Sequence, residues 1–455
     1  MSTAKTSDYG RGAALLTVGI GVTGLVTFAF FSISSHALSQ RQYGQIALLW
    51  SVVFMVTPVF YRPIEQLLAR TIAERRARDQ TLGGPLRVAA LIQIALGLLF
   101  AALALIFRTT LERDLLDGNT TLFWIMFASV LAYAVSYFAR GLLAGSQRFG
   151  LYGLLVFIEA TTRILFPVAV VAGLASGQNV VALGILAGPV ISLFVVPLAL
   201  LGRARADRAT TIDARSPAEQ AVAAAAGEAR FDAAGGATVQ EQAQFTLSEG
   251  GGFAVAALVI MACEQTILNA APLIAKSTSG GAVAAASVIN ILVIARAPMQ
   301  LFQSVATSLL PHLSKLRATG DHHTYHRSVR LTLGAIAGMA TAGAIVMLVA
   351  GPWLMRLVFG EEYVYGRAGL AAITAGMGIY LCAATLNQAA LAARRAARAT
   401  VCWVTAALAF VVWMLLPVVD DPLHRVEVGY PASALLLFIL LLRLYRTATP
   451  HDKPV

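Results

Sequence analysis

The sequence predicts an all-α, polytopic membrane protein with about twelve transmembrane helices arranged in two six-helix lobes. The first indication is composition: 58% of the 455 residues are hydrophobic and 13% are charged, whereas a soluble domain carries about 25% charge. The second is the recurrence of apolar windows of roughly 20 residues, the length that crosses a bilayer. The third is a polar segment that divides these windows into six and six.

The apolar windows give the predicted spans in chain order. They lie at residues 12–36, 43–64, 86–107, 121–144, 151–175, 179–201, 248–275, 283–310, 331–358, 366–392, 399–417 and 429–445. The first window is too long for the core of a signal peptide and many more follow, so we expect a transmembrane helix there and no cleaved signal. The ninth window is long enough to tilt, and the twelfth is short.

The polar segment spans residues 202–247 and is rich in alanine, glycine and charged residues, with few bulky apolar side chains. Such a composition is typical of a flexible linker with transient helix. It separates an N-terminal lobe, residues 1–201, from a C-terminal lobe, residues 248–455. Two halves of six spans are the layout of a duplicated transporter.

The distribution of positive charge predicts the topology. Of the 34 lysine and arginine residues, 24 fall in one set of alternate loops, together with both termini, and seven fall in the opposite set. The positive-inside rule therefore places both termini and the linker in the cytoplasm. The formal net charge of +11 is thus a topology signal, and we expect no nucleic-acid partner.

Several stretches, in this order, resemble the polysaccharide flippases (the O-antigen, or Wzx-like, branch) of the multidrug/oligosaccharidyl-lipid/polysaccharide exporter superfamily, which includes MATE transporters and lipid II flippases. They are H-A-L-S-Q-R-Q-Y-G-Q-I-A-L-L before span 2, R-G-L-L-A-G-S-Q-R-F followed by I-E-A-T-T-R-I at spans 4 and 5, A-P-M-Q-L-F-Q-S-V-A-T-S-L-L-P-H-L-S-K-L in span 8, and L-V-F-G-E-E-Y-V-Y-G-R-A after span 9. Their order and spacing fit from about residue 12 to 445. Twelve spans suit the O-antigen branch, because lipid II flippases usually have two more.

The resemblance implies a V-shaped helical bundle with two lobes around a central cavity that opens alternately to either side. It implies that the cargo is a polyprenyl-diphosphate-linked oligosaccharide, moved from the inner to the outer leaflet of the cytoplasmic membrane for cell-envelope polysaccharide synthesis. Glycosyltransferases or a polymerase of the same pathway are the expected partners, besides the bilayer itself.

Charged and amide side chains inside the spans are the candidate site, because a charge at the centre of a bilayer costs several kcal/mol and usually faces water or a partner. The residues that we single out as candidates are Arg62, Glu159, Arg163, Glu264, Gln265, Asn269 and Arg296. Glu159 and Arg163, and likewise Gln265 and Asn269, are four residues apart and share a helix face.

We interpret these residues as a cationic cavity. The planar guanidinium group suits phosphate oxygens, so Arg62, Arg163 and Arg296 are the expected contacts to the diphosphate, and Glu159 holds Arg163 in an empty cavity. Ordinary structure is the alternative: an intrahelical pair in span 5, and Arg62 reaching to the inner headgroups. Glu264 either couples transport to protons or pairs with Arg296.

Two other functions remain open at this point. A cation-coupled multidrug antiporter shares the architecture, although drug cations favour an acidic or aromatic cavity over one rich in arginine. A membrane scaffold that recruits glycan-synthesis enzymes through residues 202–247 is the third. The sequence has no G-x-x-x-x-G-K-[ST] motif and no hydrolytic triad, so we expect neither an ATP-driven pump nor an enzyme, and no cofactor or metal.

Overall fold

In the computed structural model, the described residues are 23–77, 81–197, 247–296, 322–393 and 395–447. Residues 202–246 of the predicted linker and residues 297–310 of predicted span 8 lie outside them. The helices are α1 (23–37), α2 (Gln40–Ala77), α3 (Gly83–Ile106), α4 (Thr120–Gly145), α5 (Phe149–Val171), α6 (Gln178–Ser192), α7 (Leu247–Ala275), α8 (Gly281–Ala295), α9 (His322–Phe359), α10 (Arg367–Ala392), α11 (Ala396–Leu415) and α12 (Pro422–Arg446).

Ten helices among the described residues are long and apolar enough to cross a membrane. The other two, α1 and α8, occupy the positions of predicted spans 1 and 8 and border stretches outside the described residues. The prediction of a polytopic all-α membrane protein is therefore confirmed.

Several helices are longer than their apolar windows. Helix α2 runs on from residue 64 to Ala77, and α9 begins at His322, before the predicted residue 331. Helix α12 begins at Pro422, seven residues before the predicted start, because the Asp421 carboxylate caps it by accepting a hydrogen bond from the backbone N–H of Leu423 at 3.0 Å. Capping residues and helix-compatible polar ends set the helix boundaries, whereas the apolar window measures only the stretch suited to lipid.

We call α1–α6 the N-terminal lobe and α7–α12 the C-terminal lobe; within each, helices pack in both parallel and antiparallel pairs. In the N-terminal lobe α2 lies against α4, and α5 lies against α6; in the C-terminal lobe α10 lies between α9 and α12, and α7 packs on α11. Large apolar side chains of α3 and α9 are exposed, among them Leu91, Ile94, Leu98, Ile345 and Val349. Exposed apolar faces on such helices fit a surrounding of lipid tails.

Helix α2 joins the two lobes, because it packs against α4 on one side and against α7 and α8 on the other. Residues 43–51 of α2 are all buried, whereas its second half exposes Arg62, Gln66, Leu67 and Arg70. The lobes therefore meet tightly at the end of the bundle where α2 begins, whereas one face of α2 is exposed towards the end where it finishes. We call these the closed end and the open end.

Candidate functional site

The N-terminal lobe holds a buried ionic cluster centred on Glu159 of α5. Arg140 of α4 donates to its Oε2 at 2.5 Å, and Arg163, one turn along α5, lies 3.3 Å from its Oε1. Ser136 of α4 adds a third hydrogen bond to Oε2 at 3.2 Å. Glu159 and Arg163 are only 5% and 3% exposed. One carboxylate shared by two guanidinium groups leaves the cluster with one net positive charge.

Arg163 is also held from its other sides. Its Nη2 donates to the hydroxyl of Tyr133 at 2.7 Å. Its guanidinium carbon lies 4.8 Å from the ring centre of Trp50 and 5.2 Å from that of Phe54, both on α2. Aromatic faces stabilise a cation that has lost its water. Arg163 thus lies inside the N-terminal lobe, packed between α2, α4 and α5.

Two glycines of α6 bring this helix against the charged turn of α5. A Cβ atom at Gly184 would lie 2.8 Å from the backbone oxygen of Arg163, and one at Gly188 would lie 2.9 Å from that of Glu159. The G-x-x-x-G spacing places both glycines on one face, which allows close approach between membrane helices. The cluster is therefore sealed on the side that faces α6.

The C-terminal lobe holds a second polar cluster, built around Asn269 of α7. Its amide nitrogen donates to Gln265 at 2.9 Å and to the backbone oxygen of Phe54 on α2 at 3.3 Å. Its amide oxygen accepts from Nη1 of Arg296 at 3.3 Å. Phe54 lies against Arg163 as well, so this one residue of α2 contacts both clusters.

Arg296 follows the last residue of α8 and is half-buried. Its Nε and Nη2 are shielded from solvent and have no hydrogen-bond partner among the described residues. Tyr380 and Tyr430 lie nearby, and neither has a carboxylate. Within the described part of the chain, the guanidinium of Arg296 has no carboxylate partner.

Glu264 does not pair with Arg296, the possibility left open by the sequence. Its Oε1 instead accepts a hydrogen bond from the hydroxyl of Tyr380 on α10 at 2.9 Å. Arg62 of α2 is exposed and lies within electrostatic range of Glu264, across the lobe boundary. One turn further on, Glu65 accepts from the hydroxyl of Tyr152 on α5 at 2.8 Å.

The structure thus arranges the seven predicted residues in three places. Glu159 and Arg163 lie within the N-terminal lobe; Gln265, Asn269 and Arg296 form one network in the C-terminal lobe; Arg62 and Glu264 lie on either side of the space between the lobes. The region has more arginines than acids, which suits an anion. Among the described residues, no group of three or more His, Cys, Asp or Glu side chains has the arrangement of a metal site.

Sequence reasoning missed Arg140 and Tyr133: the count of basic residues placed Arg140 in a loop, although the predicted span 121–144 contains it, and Tyr133 was not singled out. A signal for both was present. Tyr133, Ser136, Tyr137 and Arg140 follow an i, i+3, i+4, i+7 pattern and therefore lie on one face of α4. A polar stripe of this kind within an otherwise apolar span indicates contact with other polar groups.

The fold is that of MATE transporters. A multidrug-resistance MATE-family transporter of the MOP superfamily, in an inward-facing conformation, is similar with a TM-score of 0.68 and 12% identity, over 95% of this chain and 97% of that one. A family member in an outward-facing conformation gives 0.62 at 14% identity, over 96% and 95%. A variant of the Vibrio cholerae MATE transporter VcmN gives 0.61 at 14% identity, over 98% of each chain. No family model matches the sequence, and no curated protein is significantly similar to it.

Proposed function

We propose that the protein is an alternating-access transporter that flips a polyprenyl-diphosphate-linked oligosaccharide from the inner to the outer leaflet of the cytoplasmic membrane. The observation that carries the proposal is Arg296. Among the described residues, its guanidinium has two shielded nitrogens without a hydrogen-bond partner and no acidic partner, and such a group is costly within a membrane. A guanidinium group binds phosphate best, because two of its N–H groups can donate to two phosphate oxygens at once.

The positive-inside rule gives the proposed orientation. The termini, the linker and the open end face the cytoplasm, and the closed end faces outwards. The cargo is made on the cytoplasmic side, so an inward-open cavity is the state that accepts it. The higher TM-score to the inward-facing MATE structure, 0.68 against 0.62 for the outward-facing one, supports this assignment.

In the proposed complex, Arg62 and Arg296 contact the diphosphate directly, because Arg62 is exposed and Arg296 has free donors. Gln265 and Asn269 offer amide groups to the first sugars, and the isoprenoid tail stays in lipid between the lobes. Arg163 and Glu159 are already bonded to each other and to α4. They form a fixed, positively charged wall of the cavity rather than a mobile contact.

Reconstitution in vesicles with a fluorescent lipid-linked sugar tests this proposal. Removing a charged hydrogen bond costs about 1.5–3 kcal/mol, so Arg62→Gln and Arg296→Gln should each slow translocation about tenfold or more. Arg108→Gln is the matched control, because Arg108 pairs with Glu112 at 3.2 Å on the outward side and lies away from the cavity. Unchanged translocation in correctly folded Arg62 and Arg296 variants would contradict the cationic cavity.

A cation-coupled multidrug antiporter is the second candidate, and Glu264 favours it. A half-buried carboxyl group hydrogen-bonded to Tyr380 is a reasonable site for a coupling proton or cation, and the similar solved structures include multidrug-resistance transporters. Ethidium efflux from cells that express the protein separates the two candidates. Efflux that is lost in Glu264→Gln, without any flipping of lipid-linked sugar, would favour the antiporter.

A further inference from the structure

At the closed end, one carboxylate of the N-terminal lobe contacts a lysine of the C-terminal lobe and two side chains of its own lobe. Asp117 lies in the connection between α3 and α4 of the N-terminal lobe, and its Oδ1 accepts from Lys276 at the end of α7 in the C-terminal lobe. Its other oxygen, Oδ2, accepts from Gln45 of α2 at 3.1 Å and from Arg41 at 3.4 Å. The carboxylate thus ties α2 and the α3–α4 connection to the start of the α7–α8 connection.

This pair is well shielded for a position near the surface. The Lys276 side chain is 7% exposed and that of Asp117 is 21% exposed, whereas Arg41 is 72% exposed. A charge pair that is largely removed from water is expensive to break, because either partner left alone is a poorly solvated ion. Arg41, which is mostly hydrated and screened, contributes far less.

The backbone conformation and the charge state of Asp117 both suit an ion pair with Lys276. Asp117 adopts a φ of +52°, a left-handed conformation that aspartate tolerates better than most other side chains. Partial burial acts to raise the pKa of the Asp117 carboxyl, but hydrogen bonds from Lys276 and Gln45 and the positive charges of Lys276 and Arg41 outweigh it. The pKa is therefore lowered, and the carboxylate is ionised at neutral pH.

Beneath this pair the lobes are in direct contact. A Cβ atom at Gly44 of α2 would lie 1.8 Å from the backbone oxygen of Ala282 on α8. Leu48 of α2 is fully buried in a cluster with Ala282 and Ala285. Tyr43 donates to Asn290 of α8, and Gln40 donates to the backbone oxygen of Glu362 at 3.0 Å. The lobes cannot admit a sugar here without moving apart, and that movement separates Asp117 from Lys276.

We propose that Asp117 and Lys276 form an outer lock, a cross-lobe ion pair that stabilises the inward-open state and must break before the cavity opens outwards. The neutral contacts between α2 and α8 beneath it form a seal between the lobes, and the ion pair determines how often this seal opens. This inference rests on the proposed alternating access and orientation and is independent of the identity of the cargo.

Cysteine labelling in the absence of cargo tests the lock. The background replaces the three native cysteines, all of which are free, by Cys263→Ser, Cys382→Ala and Cys402→Ala. Leu48→Cys then reports on the seal from outside, and Gln66→Cys, on the exposed half of α2, reports on the cavity from the cytoplasmic side. Asp117→Asn and Lys276→Met should each raise external labelling at position 48 by at least about fivefold and lower cytoplasmic labelling at position 66.

Three controls define the outcome. Lys276→Arg keeps the ion pair and should match the background, and Arg41→Gln removes only the exposed, screened partner of Asp117 and should leave both labelling rates within about twofold of the background. Glu112→Gln removes an acid from the same connection, where it bonds to Arg108 of its own lobe, and should change neither rate.

Unchanged labelling in both single variants would overturn the lock. So would a rise at both positions 48 and 66, since that indicates local loosening and not a change of state. The expected labelling pattern, together with no flipping of lipid-linked sugar, would leave the lock in place and refute the proposed cargo.

Discussion

The two polar clusters of the molecule use arginine in opposite ways. In the N-terminal lobe, Glu159 lies between Arg140 and Arg163, and aromatic rings cover what remains of the Arg163 guanidinium. In the C-terminal lobe, Arg296 has only the amide of Asn269, and no acid pairs with it among the described residues. An intramembrane arginine is therefore paired with a carboxylate in one lobe and, among the described residues, bonded to an amide alone in the other.

Packing around each cluster accounts for the difference. Gly184 and Gly188 let α6 close over the charged turn of α5, so that water is excluded and every charge there needs a partner. Arg296 lies just past the last residue of α8, and two of its guanidinium nitrogens are shielded from solvent without a hydrogen-bond partner among the described residues. The two arginines therefore differ in their partners: the N-terminal cluster supplies a carboxylate, and the C-terminal cluster supplies an amide oxygen.

Among the variants that test this comparison, Glu159→Ala should have the largest effect on stability. The substitution leaves Arg140 and Arg163 buried without a shared counter-charge, which costs about 3–5 kcal/mol of unfolding free energy. Glu112→Ala is the control, since it removes a carboxylate that pairs with Arg108 at a partly exposed site and should cost far less. Equilibrium unfolding in detergent measures both, and equal losses would show that Glu159 is not the centre of a buried network.

The same substitution at the two arginines sharpens the contrast. Arg163→Met removes charged hydrogen bonds to Tyr133 and Glu159 and should lower the unfolding free energy by about 1.5–3 kcal/mol. Arg296→Met removes a charge without an acidic partner, so the unfolding free energy should change by less than about 1 kcal/mol, in either direction. Transport should be lost in the Arg296 variant nonetheless. A large loss of stability there would assign Arg296 a structural role.

The helix class and the approximate positions of the spans were predictable, because lipid demands apolar windows of a given length and leaves basic residues on one side. The pairing within the site was only partly predictable. The spacing of Glu159 and Arg163 along one helix gives their shared face, but no one-dimensional pattern shows that α4 supplies Arg140 or that Glu264 bonds to Tyr380. Those contacts depend on how helices far apart in sequence pack, which in turn depends on small residues such as Gly188.

The seal over the N-terminal cluster can be tested at Gly188. A methyl group there would meet the backbone oxygen of Glu159 at 2.9 Å, so Gly188→Ala should push α5 and α6 apart at a cost of about 1–3 kcal/mol. Gly150→Ala makes the same change in α5 where no atom lies within 4 Å, and a helix favours alanine over glycine by about 0.5–1 kcal/mol. Thermal unfolding of the two variants should shift in opposite directions, and a stabilised Gly188 variant would contradict the close contact.

The smallest expected effect compares two tyrosine hydroxyls. Tyr380→Phe removes the donor to Glu264, which is half-buried beside the space between the lobes, so water can replace the bond and the loss should be about 0.5–1.5 kcal/mol. Tyr133→Phe removes the acceptor for the buried Arg163, where no water can enter, and should cost about 1.5–3 kcal/mol. Unfolding titrations on the two variants measure the difference directly. If Tyr380→Phe proved as costly as Tyr133→Phe, the surroundings of Glu264 would be as dry as those of Arg163, and the C-terminal cluster would no longer be accessible to a hydrated head group.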